Sequence, residues 1–228
     1  MELIKRPLRT FLIWFGSVCG EKTTYLLNSL VNYVAVGQWM AAKGFYTSER
    51  VKRREELYEW LAARIADKKV LYLEFGVSFG DSIKRWSKLL RNDCSHLHGF
   101  DSFEGLPSNW HAFAPKGSYS TEGVVPKIAD PRVKLFKGLF QETLPQYEFP
   151  SYDVLVINID CDLYASTAFV LNSLRERIQP GTYLYFDEIL DRANEQRAFD
   201  EFIASTGAHF RLLGATKSYL QALFECVP

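Results

Sequence analysis

The stretch "NIDCDLYAST" (Asn158–Thr167) places two carboxylates, Asp160 and Asp162, just beyond the apolar run "DVLVI". A buried parallel strand reads as such a short apolar run, and the charges begin where it should leave its sheet. Ligands of open α/β sheets bind at that carboxyl end. The pair can therefore serve a ligand and its chemistry, or can simply end a strand. A second candidate lies in "YLEFGVSFGDS", where Gly76 and Gly80 allow a tight turn and close approach of backbone to a ligand. The helix start behind them presents unpaired N–H groups. The spacing is G-x-x-x-G with Ser78 in the middle, which departs from the G-x-G-x-x-G of dinucleotide sites and argues against a nicotinamide oxidoreductase. Asp101, about 25 residues beyond Gly76, ends the next apolar run and can accept hydrogen bonds from both ribose hydroxyls of a nucleoside. Glu74 adds a carboxylate where a positively charged ligand would lie.

These residues need elements to hold them. The texture from Val70 onward alternates short apolar runs with amphipathic helices. Strands are expected over "VLYLEF", "LHGF", "VKLF", "DVLVINI" and "TYLYF", with "FRLL" and "YLQALFE" as a closing hairpin. Helices are expected over "DSIKRWSKLL", capped by Asp81 or Ser82, over "TAFVLNSLRERI", which stops at Pro180-Gly181, and over "ANEQRAFDEFIAST". The alternation predicts an α/β fold: a doubly wound, mostly parallel seven-stranded sheet with an antiparallel last strand. The segment 102–131, rich in Gly, Pro, Ser and aromatics, is long enough to be a lid or binding loop. Two or three helices precede the first strand, one of them capped by Thr47 or Ser48. The expected division is a helical extension over 1–68, serving as lid or dimer arm, followed by a ligand-binding domain over 69–228.

Twenty-seven Lys and Arg balance 27 Asp and Glu, which gives no general affinity for nucleic acid or anionic membrane. The apolar run "FLIWFGSVCG" is shorter than the ~20 residues that span a bilayer and lacks a cleavage site, so no stable membrane insertion is expected. Four cysteines without CxxC or zinc spacing are expected to be reduced thiols of a cytoplasmic protein.

The run "LEFGVSFGDS", then "HGFDSFEGLP", "KGLFQETLP", "INIDCDLYAST" and "LYFDEI", resembles the class I S-adenosylmethionine-dependent methyltransferases, and among them the macrocin O-methyltransferase (TylF/MycF) family. The resemblance covers roughly residues 70–225. It implies a Rossmann-like fold binding S-adenosylmethionine, with Glu74, Gly76, Gly80 and Ser82 on the methionine and ribose side. Asp101 would hold the ribose hydroxyls, Ser102 and Phe103 would lie near the adenine, and Gly138, Leu139 and Phe140 would flank it. Asp160, also beside the cofactor, matches a metal-binding acid together with Asp187 and Glu188, with Mg2+ the expected ion. The family often has Asp-Asp where this chain has Asp187-Glu188. Carboxylates at neighbouring strand ends repel one another unless a cation joins them, and such an ion stabilises a developing alkoxide.

The implied activity is methyl transfer to a hydroxyl of a small molecule, such as a sugar unit of a natural product or polysaccharide. Asp160 and Asp162 share the candidacy for general base, with His111 an outsider. Phe103, Trp110, Phe113 and Tyr119 are candidates for an aromatic wall or for lid packing. His96, His98 and His209 are expected at strand edges or the surface. A homodimer is reasonable through the apolar N-terminal helices. The competing class is a non-catalytic nucleoside-binding protein that keeps the fold.

Overall fold

The computed structural model describes residues 2–111 and 113–228, with side chains from residue 6 onward. In chain order the elements are α1 (Glu2–Val18), α2 (Glu21–Lys43), β1 (Arg50–Val51), α3 (Arg54–Ile65), β2 (Val70–Phe75), α4 (Asp81–Leu89), β3 (His96–Asp101) and β4 (Val133–Lys137). They continue with α5 (Phe140–Thr143), β5 (Val154–Ile159), α6 (Tyr164–Ser173), β6 (Tyr183–Phe186), α7 (Glu195–Thr206), β7 (His209–Thr216) and β8 (Ala222–Val227).

The strands form one sheet in the order β1-β7-β8-β6-β5-β2-β3-β4. Every pairing is parallel except those of β8, which runs antiparallel to both β6 and β7. The doubly wound, mostly parallel expectation holds. All seven expected strands are present. The eighth, β1, has two residues, too few to leave a periodic pattern in the sequence.

β2 and β5 are buried at every position, because helices cover both faces of a parallel sheet. The chain moves outward from β2 to β3 and β4, then returns to lay β5 on the other side of β2. The strand order therefore reverses between β2 and β5, the place where ligands of open α/β sheets bind. Phe75 pairs with Ile159, so Gly76 and Asp160 leave the sheet side by side.

Helix boundaries shift from expectation for local reasons. α3 begins at Arg54, where Arg53 N donates to Glu56 Oε1 at 3.1 Å, instead of at Thr47. Thr47 Oγ1 donates instead to Leu213 O at 2.9 Å. α4 is capped by Gly80 in the left-handed conformation, φ +76°, instead of by Asp81 or Ser82. α6 starts three residues early, at Tyr164, whose N–H is capped by Asn194 Oδ1 at 2.9 Å.

α3 is fixed to the sheet by buried Leu57, Tyr58, Leu61 and Ile65. Tyr58 packs on Trp86 and Tyr185, with ring centroids 5.6 and 5.0 Å away. Burying each such side chain contributes about 1.5–3 kcal/mol relative to leaving it exposed. His98, expected at an edge, is instead buried in β3 with Nδ1 2.5 Å from Tyr147 Oη.

The chain divides into two compact units, Met1–Lys43 and Gly44–Pro228. α3 thus belongs to the second unit, and the division falls earlier than the expected 68/69. In the first unit, Phe11, Ile13, Trp14, Leu26, Leu30 and Val34 are exposed. No helix among the described residues is long and apolar enough to cross a membrane.

Candidate active site

Gly76 has φ +93°, and a Cβ there would lie 1.9 Å from the Asp160 carbonyl oxygen. Only glycine fits where the ends of β2 and β5 pass this closely. The turn beyond it is held by Asp101. Its Oδ2 accepts from Val77 N at 2.8 Å and Ser78 N at 2.7 Å, and its Oδ1 accepts from Phe103 N at 2.7 Å. The acid proposed from the sequence for ribose hydroxyls therefore also shapes the glycine turn across from it.

Glu74 is fully buried one residue before the end of β2. Tyr72 Oη donates to its Oε2 at 2.5 Å and in turn accepts from Asn158 Nδ2 at 2.9 Å. Among the described residues its Oε1 has no hydrogen-bond partner. Burial pushes its carboxyl up to about 7 against these hydrogen bonds. A carboxyl raised on folding contributes stability at low pH that is lost as pH rises through the folded value. Glu74→Gln should therefore flatten the fall in melting temperature between about pH 4.5 and 8.5, most of it below pH 7.5. It should also be the more stable protein at pH 8.5, by up to about 3 kcal/mol on the size of such a shift. Thermal melts of both proteins across that range check this.

Beyond β5 and β6 the acids crowd. Asp162 takes a left-handed backbone, φ +60°, in the loop after β5. Burial, then Asp187 and Asp191, push its carboxyl up to about 7. Glu188 is pushed up to about 8 by burial, then by Asp187, Asp162 and Asp191. Asp160 is raised by burial and by Asp187, Asp162, Glu195 and Glu74.

Two residues that the sequence reading passed over organise this cluster. Glu195, fully buried in the first turn of α7, accepts from Cys161 N at 3.2 Å, Asp162 N at 3.3 Å and Glu188 N at 3.0 Å. One carboxylate thus joins the loops after β5 and β6. Arg54, in the first turn of α3, places Nη1 3.1 Å from Asp187 Oδ1 and 3.9 Å from Asp160 Oδ2. Asp187 Oδ1 also accepts from Tyr185 Oη at 3.1 Å. The only legible sign of Arg54 is a cation in a first turn, where the helix dipole disfavours it. Glu195 reads from sequence as an ordinary first-turn acid.

These groups surround a cavity of about 670 Å³. Gly76, Ser82, Asp101, Ser102, Gly138 and Phe140 line one side of it, and Asp160, Asp162, Asp187, Glu188 and Arg54 another. Glu74 lies beneath the lining, and Gly80 acts as the cap of α4. Phe103 is buried in the core with φ +62°, so it does not face the cavity. Of the aromatic wall, Trp110 and Tyr119 line the cavity, while Phe113 is exposed outside it. Trp110 Nε1 donates to Asp191 Oδ2 at 2.5 Å, which ties the loop 102–131 to the acid side. His111 does not line the cavity.

The cavity suits a nucleoside sulfonium: its lining carries the glycine turn after β2, the first residues of α4 behind it, and the carboxylate of Asp101. For Mg2+, the donor chemistry also fits, since the acids are all oxygen donors and push one another's carboxyls up. Their placement is another matter. Among the described residues no three His, Cys, Asp or Glu side chains are gathered as a ligand set, and Arg54 stands between Asp160 and Asp187.

Residues 125–213 match the macrocin-O-methyltransferase (TylF) family. The resemblance read from the motifs holds over a segment that contains β4, β5, β6 and the acids Asp160, Asp187 and Glu188; the glycine turn and Asp101 lie before it. The 8-demethyl-8-(2,3-dimethoxy-alpha-L-rhamnosyl)-tetracenomycin-C 4'-O-methyltransferase of Streptomyces olivaceus is 36% identical over 61 residues, 27% of this chain. That match spans 23% of the relative's length. Among solved structures, the calicheamicin methyltransferase CalS11 superposes with TM-score 0.62 at 24% identity, covering 76% of this chain and 80% of that one. The O-methyltransferase NovP does so with TM-score 0.60 at 20% identity, covering 77% and 80%. An O-methyltransferase from Bacillus cereus in complex with SAH gives TM-score 0.51 at 16% identity, covering 87% and 91%. These likenesses establish the Rossmann-like methyltransferase fold.

Proposed function

We propose that the chain is an S-adenosylmethionine-dependent O-methyltransferase acting on a hydroxyl of a small molecule, with a sugar unit of a natural product or polysaccharide as the acceptor class. The observation that carries this reading is the cavity at the carboxyl ends of β2 and β5, which has the glycine turn and Asp101 on one side and the acid cluster on the other. The family match and the sugar-modifying relative support the acceptor class.

When bound, S-adenosylmethionine supplies an electrophilic methyl on a sulfonium, and Mg2+ supplies positive charge to a hydroxyl oxygen. Glu74 and Asp101 would bind the donor's positive and ribose ends, and Asp160, Asp187 and Glu188 would hold the cation. Asp162 is the general base: its carboxyl lines the cavity and its affinity for a proton is near neutral. It would take the acceptor's hydroxyl proton as the methyl group passes from the donor to that oxygen. Trp110 and Tyr119 wall the acceptor side. Asp162→Asn should lower kcat about 10²–10⁴-fold while leaving the affinity for S-adenosylhomocysteine within about twofold. Single-turnover rates and calorimetry check the two halves.

The direct test is methyl transfer from labelled S-adenosylmethionine to neutral glycosides, with and without a chelator. Transfer that a chelator abolishes supports the whole reading, and transfer that it leaves intact removes Mg2+ alone. A melting temperature that S-adenosylhomocysteine raises, without transfer to any glycoside offered, would favour the non-catalytic nucleoside-binding alternative. We also propose a cytoplasmic homodimer that does not bind nucleic acid and does not insert stably into a membrane. Support comes from four free cysteines, balanced charge and the exposed apolar side chains of α1 and α2.

A further inference from the structure

Arg54 is not one of the strand-end residues that build the site. It comes from the first turn of α3, where the helix dipole opposes a cation, so its place has to be explained by what it meets. It meets Asp187 at 3.1 Å and Asp160 at 3.9 Å, and its other ion pair, Nε to Glu55 Oε1 at 3.9 Å, is exposed and weak. α3 cannot drift to relieve it, because Tyr58 one turn later is locked between Trp86 and Tyr185. The long side chain is the adjustable part: it is about a third exposed and lines the cavity, so it can swing into that space while its helix stays put.

We propose that Arg54 is a positioning residue, the resident counter-ion that holds Asp160 and Asp187 together until a divalent cation displaces it. The inference rests on the reading that these acids take a cation. The guanidinium and the ion need the same two carboxylates, so their occupancies exclude each other. Arg54 keeps the acids from splaying apart in the free protein. The cation has to outcompete it, which weakens binding in the free protein and ties full loading of the site to a rearrangement at the cavity wall.

The test is Mn2+ titration of the whole chain without other ligands, read as loss of the free-ion electron paramagnetic resonance signal. Wild type, Arg54→Gln and Arg54→Lys are compared, with thermal melts confirming that each is folded. Arg54→Gln should bind Mn2+ about tenfold or more tightly than wild type, because the ion no longer has to displace a unit charge lying within ~4 Å of the same two carboxylates. Arg54→Lys keeps the charge and should stay within about threefold of wild type. Equal or weaker binding by Arg54→Gln overturns the inference and leaves the metal reading standing, as does a gain that Arg54→Lys shares. Mn2+ binding to neither wild type nor Arg54→Gln overturns both. If Arg54→Gln does not fold, a crystal structure of wild type with Mn2+ decides. Arg54 drawn away from Asp187 supports the inference, and Arg54 Nη1 still on Asp187 Oδ1 beside a bound ion overturns it.

Discussion

Gly76→Ala should produce a protein that melts about 10 °C lower and no longer binds S-adenosylhomocysteine. At φ +93° an alanine loses about 1–2 kcal/mol from backbone strain alone. Its Cβ would also lie 1.9 Å from Asp160 O, a distance that only backbone movement can relieve. Forced overpacking of this kind costs typically 1–3 kcal/mol more. In a domain of this size each kcal/mol is worth about 2–4 °C. The two strand ends forced apart are those that carry the glycine turn and the acid cluster, so the binding loss should exceed what the melt alone suggests. Differential scanning calorimetry and ligand titration check both. A well-folded variant with unchanged ligand affinity would mean that the close approach of β2 and β5 has no part in the site.

Asp101→Ala should weaken S-adenosylhomocysteine binding about 100-fold, near 2.7 kcal/mol, and lower the melting temperature as well. Charged hydrogen bonds are worth about 1.5–3 kcal/mol each, and Asp101, at the end of β3, accepts three from backbone N–H groups, two of them in the turn after β2. Removing it frees Val77 and Ser78, so the turn loses its shape as well as the proposed acceptor for the ribose. Asp101→Asn separates the two contributions. It keeps one oxygen for the turn but cannot accept at both ends, so an intermediate loss is expected. Calorimetry that finds all three proteins alike would discard the ribose assignment.

Much of this molecule is legible along the chain because its signals are local. β2 and β5 read as strands because a strand buried on both faces must be apolar throughout, and both are buried at every residue. Gly76 reads as a tight turn, and Asp160, Asp162, Asp187 and Glu188 read as strand-end acids, because the alternation of runs and helices places them there. β1 escapes the same reading because two residues carry no period; it exists only because β7 offers an edge.

The order of strands and helices and the kinds of side chain at their ends are written along the chain, since periodicity and turn chemistry act over a few residues. The fold alone decided which of those side chains meet. Phe103 turned inward under a left-handed backbone, His98 was buried against Tyr147, and Glu195 bridged two loops from a helix more than thirty residues beyond the first of them. Arg54 reached Asp187 across a separation of 133 residues. Such meetings follow from how elements pack across the sheet, and charge at that range leaves no mark on the local pattern of residues.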